Sequence, residues 1–140
     1  MKQITEDYVS FETAKLLKKK GFNIPCRFNY RSIYSNNPKP FYHKSLKDFN
    51  GEEYEGLSSE WFSAPSQSLA LKWLREVHNT HISVEMGFDV DNPQCFFYIP
   101  SICKFSNKTG EYNTPFGEEE FDTYESVCEA ALLYVLKNLI

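Results

Sequence analysis

The strongest constraint on this chain lies between Pro65 and Phe88, where the spacing of apolar residues changes from a helical to an extended period with no loop in between. Leu69, Ala70, Trp73, Leu74 and Val77 recur at i, i+1, i+4, i+5 and i+8, the stripe of an amphipathic helix. Pro65 suits the first turn, where its missing N–H has no helical partner, and Asn79 is a natural stop. Ile82, Val84, Met86 and Phe88 then alternate with His81, Ser83, Glu85 and Gly87. That is the period of a strand with one buried and one wet face. After a turn at 89–93, the run Cys95-Phe96-Phe97-Tyr98-Ile99 has no polar face. Such a strand is covered on both sides or meets another chain. Phe96 and Tyr98 are therefore candidate contacts of a homodimer.

Two further helices flank this unit. Ser10 is a plausible N-cap, with Val9 and Ala14 placed for a hydrophobic staple. Phe11, Ala14 and Leu17 share one face, widened by Leu16. Lys18, Lys19 and Lys20 crowd the last turn, where cations favour the helix dipole. Gly21 then supplies a left-handed C′ position, and Phe22 can fold back onto Leu17. The last helix starts near Thr123. Its stripe is Val127, Ala130, Ala131, Tyr134 and Val135, broadened by Cys128, Leu132 and Leu139.

Extended segments fill the rest. Cys26, Phe28 and Tyr30 alternate with Arg27, Asn29 and Arg31. A turn at 35–40 leads to a return strand from Phe41 to Leu46, and Asn50-Gly51 is a turn signal. Residues 52–59 read as loop, Glu60 to Ser63 as a short strand, and Ser101 to Tyr112 as one more hairpin about a turn at 107–110. The order α-β-β-α-β-β-(β)-α predicts an α+β fold, a mostly antiparallel sheet packed with three helices. A length of 140 residues suits a single domain spanning 1–140.

Several function classes lose their motifs. The N-terminus lacks the apolar core of a signal peptide, and no apolar run approaches the ~20 residues of a membrane span. The expectation is a soluble, cytoplasmic protein without membrane contact, in which the sequon at Asn107 carries no weight. The four cysteines form no Cys-x-x-Cys pair and read as small buried hydrophobes. No Gly-x-Gly or Gly-x-Ser-x-Gly occurs, so phosphate loops and nucleophile elbows are missing. His78 and His81 have no third ligand at metal spacing. A Cys–His nucleophile pair has nothing in its favour. The acidic run Glu118 to Glu120 reads as a solvated partner for the last helix dipole. No cofactor, metal or catalytic residue is predicted.

Charge is distributed unevenly. Residues 1–50 hold ten Lys/Arg against four Asp/Glu, and residues 51–140 hold five against fifteen. In the basic half, Arg27, Tyr30, Arg31 and Tyr34 interleave cations with aromatics, and Lys39, Lys44 and Lys47 lie nearby. Single-stranded nucleic-acid sites combine cations with stacking platforms, so these seven residues are the candidate nucleic-acid or partner contacts. Strand alternation offers the plainer alternative. In that reading Phe28 and Tyr30 are core, and Arg27 and Arg31 are their solvated opposite face.

Three segments carry a resemblance. Ser10 to Phe22 with Pro25-Cys26, Ala64 to His78, and Tyr124 to the end resemble small uncharacterised proteins encoded by gut Bacteroidales and their phages or prophages. The layout is also loosely similar to the phage "ABA sandwich" domain. The matching segments cover about half of the chain, and Arg31 to Phe62 departs from the pattern as an expanded hairpin or loop. The resemblance implies a compact α/β sandwich and a mobile-element context, and it implies no activity. With no chemical motif to set beside it, the leading expectation is a non-enzymatic interaction protein of phage or prophage type. Nucleic-acid binding through residues 27–47 is the alternative.

Overall fold

A computed structural model of the chain describes residues 3–32, 39–51, 60–106, 108–113, 115–116 and 119–140. It contains helices α1 (Phe11–Lys19), α2 (Gln67–His78) and α3 (Tyr124–Asn138), and strands β1 (Cys26–Arg31), β2 (Phe41–Lys47), β3 (Trp61–Ser63), β4 (Thr80–Phe88), β5 (Phe96–Ser106) and β6 (Thr109–Asn113). The fold is the expected α+β type and the element order is the expected one. The strands form two antiparallel three-stranded sheets, β2-β1-β3 and β4-β5-β6. By its contacts the chain divides into two compact units, Met1–Leu69 and Ala70–Ile140. The loop expected at 52–59 and the acidic residue Glu118 lie outside the described residues.

In the first unit the caps organise α1. The Ser10 hydroxyl accepts from the Thr13 amide at 3.2 Å. At the other end Gly21, at φ +88°, lets the Phe22 N–H reach the Leu17 carbonyl and its own N–H reach that of Lys18. These two bonds are a Schellman closure, and they add donors to carbonyls of the last helical turn. The Lys18 ammonium does more than face the dipole. It crosses to β3, donating to the Trp61 carbonyl at 2.9 Å and pairing with Glu60 at 3.0 Å. α1 lies on the sheet face that carries Tyr30 and Phe62, with the Phe11 ring against both.

The opposite face of this sheet is covered by the turn after β2. Phe49 is fully buried there, stacked on Trp61 and edge-on to His43. Asn50 pins the turn. Its amide donates to the Phe22 carbonyl at 2.8 Å, and its oxygen accepts from the Ser63 N–H at 2.9 Å.

In the second unit α3 is capped by Thr123, whose hydroxyl accepts from the Ser126 amide. Its buried face is Val127, Cys128, Ala131, Leu132, Val135 and Leu136. The stripe is thus centred one position beyond the expected one, leaving Ala130 and Tyr134 half-buried. α3 lies on the sheet face that holds Ile82 and Ile102. Tyr124 at its start touches the Tyr98 ring, and Lys104 donates to the Leu139 carbonyl at its end. A cation on a terminal carbonyl is favoured by the dipole.

Three expectations are corrected in this region. α2 starts at Gln67, so Pro65 precedes it, and the Ser66 hydroxyl accepts from the Leu69 amide as a cap would. Val77 is largely exposed, while Ala70, Trp73 and Leu74 are buried. β5 is one strand of 11 residues running through Pro100. The mutual bonds between Tyr98 and Phe121 show that even-numbered residues of β5 direct their backbone away from β4. Pro100 therefore lacks its N–H on that side. It lies between the Tyr98–Phe121 bridge and the first β6 pair at Ile102, so no ladder bond is lost.

Candidate contact surface

The second sheet outruns the helix that covers it. Fifteen helical residues span about 22 Å at 1.5 Å each, whereas the 11 residues of β5 span about 36 Å. α3 begins level with Tyr98 and ends level with Lys104. The overhang is therefore the distal end of the β4–β5 hairpin. There Met86 is 65% exposed, Phe88 59%, Val90 84% and Phe96 57%. Sequence alternation placed Met86 and Phe88 in the core with Ile82. They share its face but lie at and past the start of α3, where both are largely exposed.

The overhang ends in a groove of about 680 Å³, lined by Phe88, Val90, Cys95, Phe96 and Phe97 and by the carboxylates of Asp89, Glu120 and Asp122. The hairpin end is closed by backbone hydrogen bonds. The Asp89 N–H donates to the Cys95 carbonyl at 3.0 Å, and the Cys95 N–H donates to the Asn92 carbonyl at 2.9 Å. On the sheet's other face the Phe97 ring lies over Gly87, where an added Cβ would come within 2.6 Å of it. The arrangement is apolar with an acidic rim. Of the two residues named from the sequence, Phe96 is on this surface. Tyr98 is half-buried, edge-on to Tyr124, with its backbone paired to Phe121.

The basic–aromatic set of the first unit is spent largely inside it. Tyr30 is a core residue, a correction to its place among the contacts: its side chain faces α1, and its hydroxyl donates to the Val9 carbonyl at 2.8 Å. The Arg31 guanidinium lies between the Phe41 and Trp61 rings, 4.6 and 4.1 Å from their centroids. Arg27 donates to the Lys44 carbonyl. Lys39 and Lys44 are exposed and Lys47 is half-buried. Tyr34 lies outside the described residues. Beside these, Tyr42 is an exposed aromatic that sequence reasoning left out.

The cysteines divide. Cys26 and Cys128 are buried and Cys103 is intermediate, but Cys95 is exposed in the hairpin turn, a correction to the reading of all four as core. Burial pushes the Cys26 thiol up to about 12, with the Asp48 charge adding to the effect and a Ser63 hydrogen bond opposing it. A folded value above the unfolded one, about 8.5, makes a stability contribution that is complete below the unfolded value. It is lost as pH rises toward the folded one. Urea titrations should show wild-type stability declining over that alkaline window, and Cys26→Ala should flatten this part of the profile. A cysteine that ionised normally in the fold would leave the two profiles parallel.

Among the described residues no three His, Cys, Asp or Glu side chains are grouped to hold a metal ion. No helix of the described chain is long and apolar enough to cross a membrane. No protein-family model, curated protein or solved structure matches the chain.

Proposed function

We propose that this protein is a non-enzymatic interaction protein that binds its partner at the overhanging end of the β4–β5 hairpin. The mobile-element setting implied by the sequence resemblance belongs to the same proposal. The observation that carries it is the group of Met86, Phe88, Val90 and Phe96, all more than half exposed on one hairpin end and bordered by Asp89, Glu120 and Asp122. Contiguous exposed apolar surface with a polar border is a feature of interaction sites. The acidic rim selects a partner that presents apolar side chains beside Lys or Arg.

The nucleic-acid reading is weaker on the same grounds. Its arginines and Tyr30 are engaged within the first unit, and the second unit is acidic.

The test is capture from the native host by wild-type protein, by Met86→Lys/Phe96→Lys, and by Tyr42→Asp as a control on the first unit. The expected result is a protein captured by wild type and by the control and lost with the double variant. Equal capture by all three forms would refute the assignment. Capture of nucleic acid that weakens as salt rises and is lost with Lys39→Glu/Lys44→Glu would install the alternative.

A further inference from the structure

The two long edge strands of this protein are built in opposite ways. β2 carries the devices that keep an edge from pairing with another chain. Its register against β1 is broken by a bulge between the Phe28–Tyr42 and Cys26–Lys47 pairs, the Arg27 side chain bonds to Lys44 within that bulge, and Pro40 precedes the strand. β4 has none of these. It pairs with β5 in unbroken register over all nine residues, and it contains no proline, lysine or arginine. Among the described residues, β5 and α3 are the elements that pack extensively on it.

The direction of its backbone follows from its partner strand. Odd-numbered residues of the pair bond each other, as the Phe105 N–H does with Asn79 and the Asp89 N–H with Cys95. The N–H and C=O groups of Ile82, Val84 and Met86 therefore point out of the sheet, and no strand meets them among the described residues, whereas Thr80 at the start of the strand is fully buried.

The sequence along this edge is complementary to itself. Read against its own reverse, His81-Ile82-Ser83-Val84-Glu85 sets His81 opposite Glu85, Ile82 opposite Val84 and Ser83 opposite Ser83. His81, Ser83 and Glu85 are exposed on one face, and Ile82 and Val84 continue the apolar face under α3. We propose that β4 pairs antiparallel with β4 of a second copy about a two-fold axis at Ser83, joining two sheets into one of six strands. In this register Ile82 bonds Val84 across the axis, twice by symmetry. The His81 imidazole and the Glu85 carboxylate face each other across the axis, also twice, and a complementary polar cross-strand pair favours a register as like charges oppose it. The interface is isologous and closes at two chains. It uses the edge of the sheet rather than the hairpin end, so the groove at Phe88 and Phe96 stays open to a different partner.

Sedimentation equilibrium on the full chain tests this with surface substitutions that leave the β4–β5 ladder intact. Wild type should be a dimer at high micromolar concentration. Glu85→Lys should weaken it about tenfold, since two favourable cross-strand pairs are lost. The double variant His81→Glu/Glu85→Lys should restore the wild-type constant to within about threefold, by setting a carboxylate opposite an ammonium at both positions. Val84→Pro, which removes an outward N–H, should be monomeric while circular dichroism shows the fold retained. A wild type that stays monomeric, a Glu85→Lys protein as dimeric as wild type, or a charge swap that fails to restore association would each overturn the proposal. A monomeric wild type that still captures a host partner at the hairpin end would overturn the dimer alone and leave the interaction reading in place.

Discussion

Replacing Phe49 with alanine is expected to destabilise the protein by about 3–5 kcal/mol, the range for removing a fully buried aromatic. Phe49 has no exposed surface. Its ring is 5.8 Å from both Trp61 and His43, and its N–H donates to the Ser63 hydroxyl at 3.1 Å. The cost has two parts. One is the transfer energy of the ring, and the other is the cavity left between β3 and the turn at Asp48 to Gly51, which cannot collapse freely. That turn is fixed by the Asp48 side chain, which accepts from the Asn50 N–H, and by the Asn50 side chain, which is tied to Phe22 and Ser63. Urea denaturation measures the loss. Phe49→Leu, which keeps most of the volume, should recover most of it. A Phe49→Ala protein within about 1 kcal/mol of wild type would mean that the turn does not seal the first sheet.

Trp73→Ala carries an expected loss of the same size, about 3–5 kcal/mol, in the second unit. Trp73 is 4% exposed, edge-on to His78 with 4.5 Å between centroids, and flanked in α2 by the fully buried Ala70 and Leu74. Against a total stability of about 5–15 kcal/mol, either substitution removes a large fraction. Measured together they also test domain organisation. The reading of residues 1–140 as one domain predicts a single transition that both substitutions move. Two transitions, each moved only by its own variant, would divide the chain near Leu69.

These two side chains also mark what was legible in the sequence. Trp73 stands in a helical stripe, and its burial follows from spacing alone. Phe49 sits between an aspartate and an Asn-Gly turn with no periodic neighbours, so nothing local distinguishes it from a solvated loop residue. Caps were the most readable features. Ser10, Gly21 with Phe22, and Thr123 do what their chemistry requires, because a cap depends only on residues a few positions away. Asn79 ends α2 in a left-handed conformation for the same local reason.

The contact surface was half legible. A run without a polar face singled out Phe96 and Tyr98. Alternation assigned Met86 and Phe88 to the core, because periodicity says which face a residue is on and not how far the covering helix extends. The basic–aromatic stretch misled in the opposite way. Composition suggested a platform, but Tyr30 faces inward by strand alternation and Arg31 is taken by two rings of its own sheet. The separation of the strands into two sheets depends on which hairpins meet in space, and the turn signals do not carry that information.

The open edge of β4 is where this account is most exposed to test, and residue-resolved amide exchange reads it directly. At high protein concentration the outward amides of Ile82 and Val84 should exchange as slowly as the inward amides of Ser83 and Glu85, and on dilution the outward set alone should become fast. Outward amides that exchange rapidly at every concentration, beside protected inward ones, would contradict it.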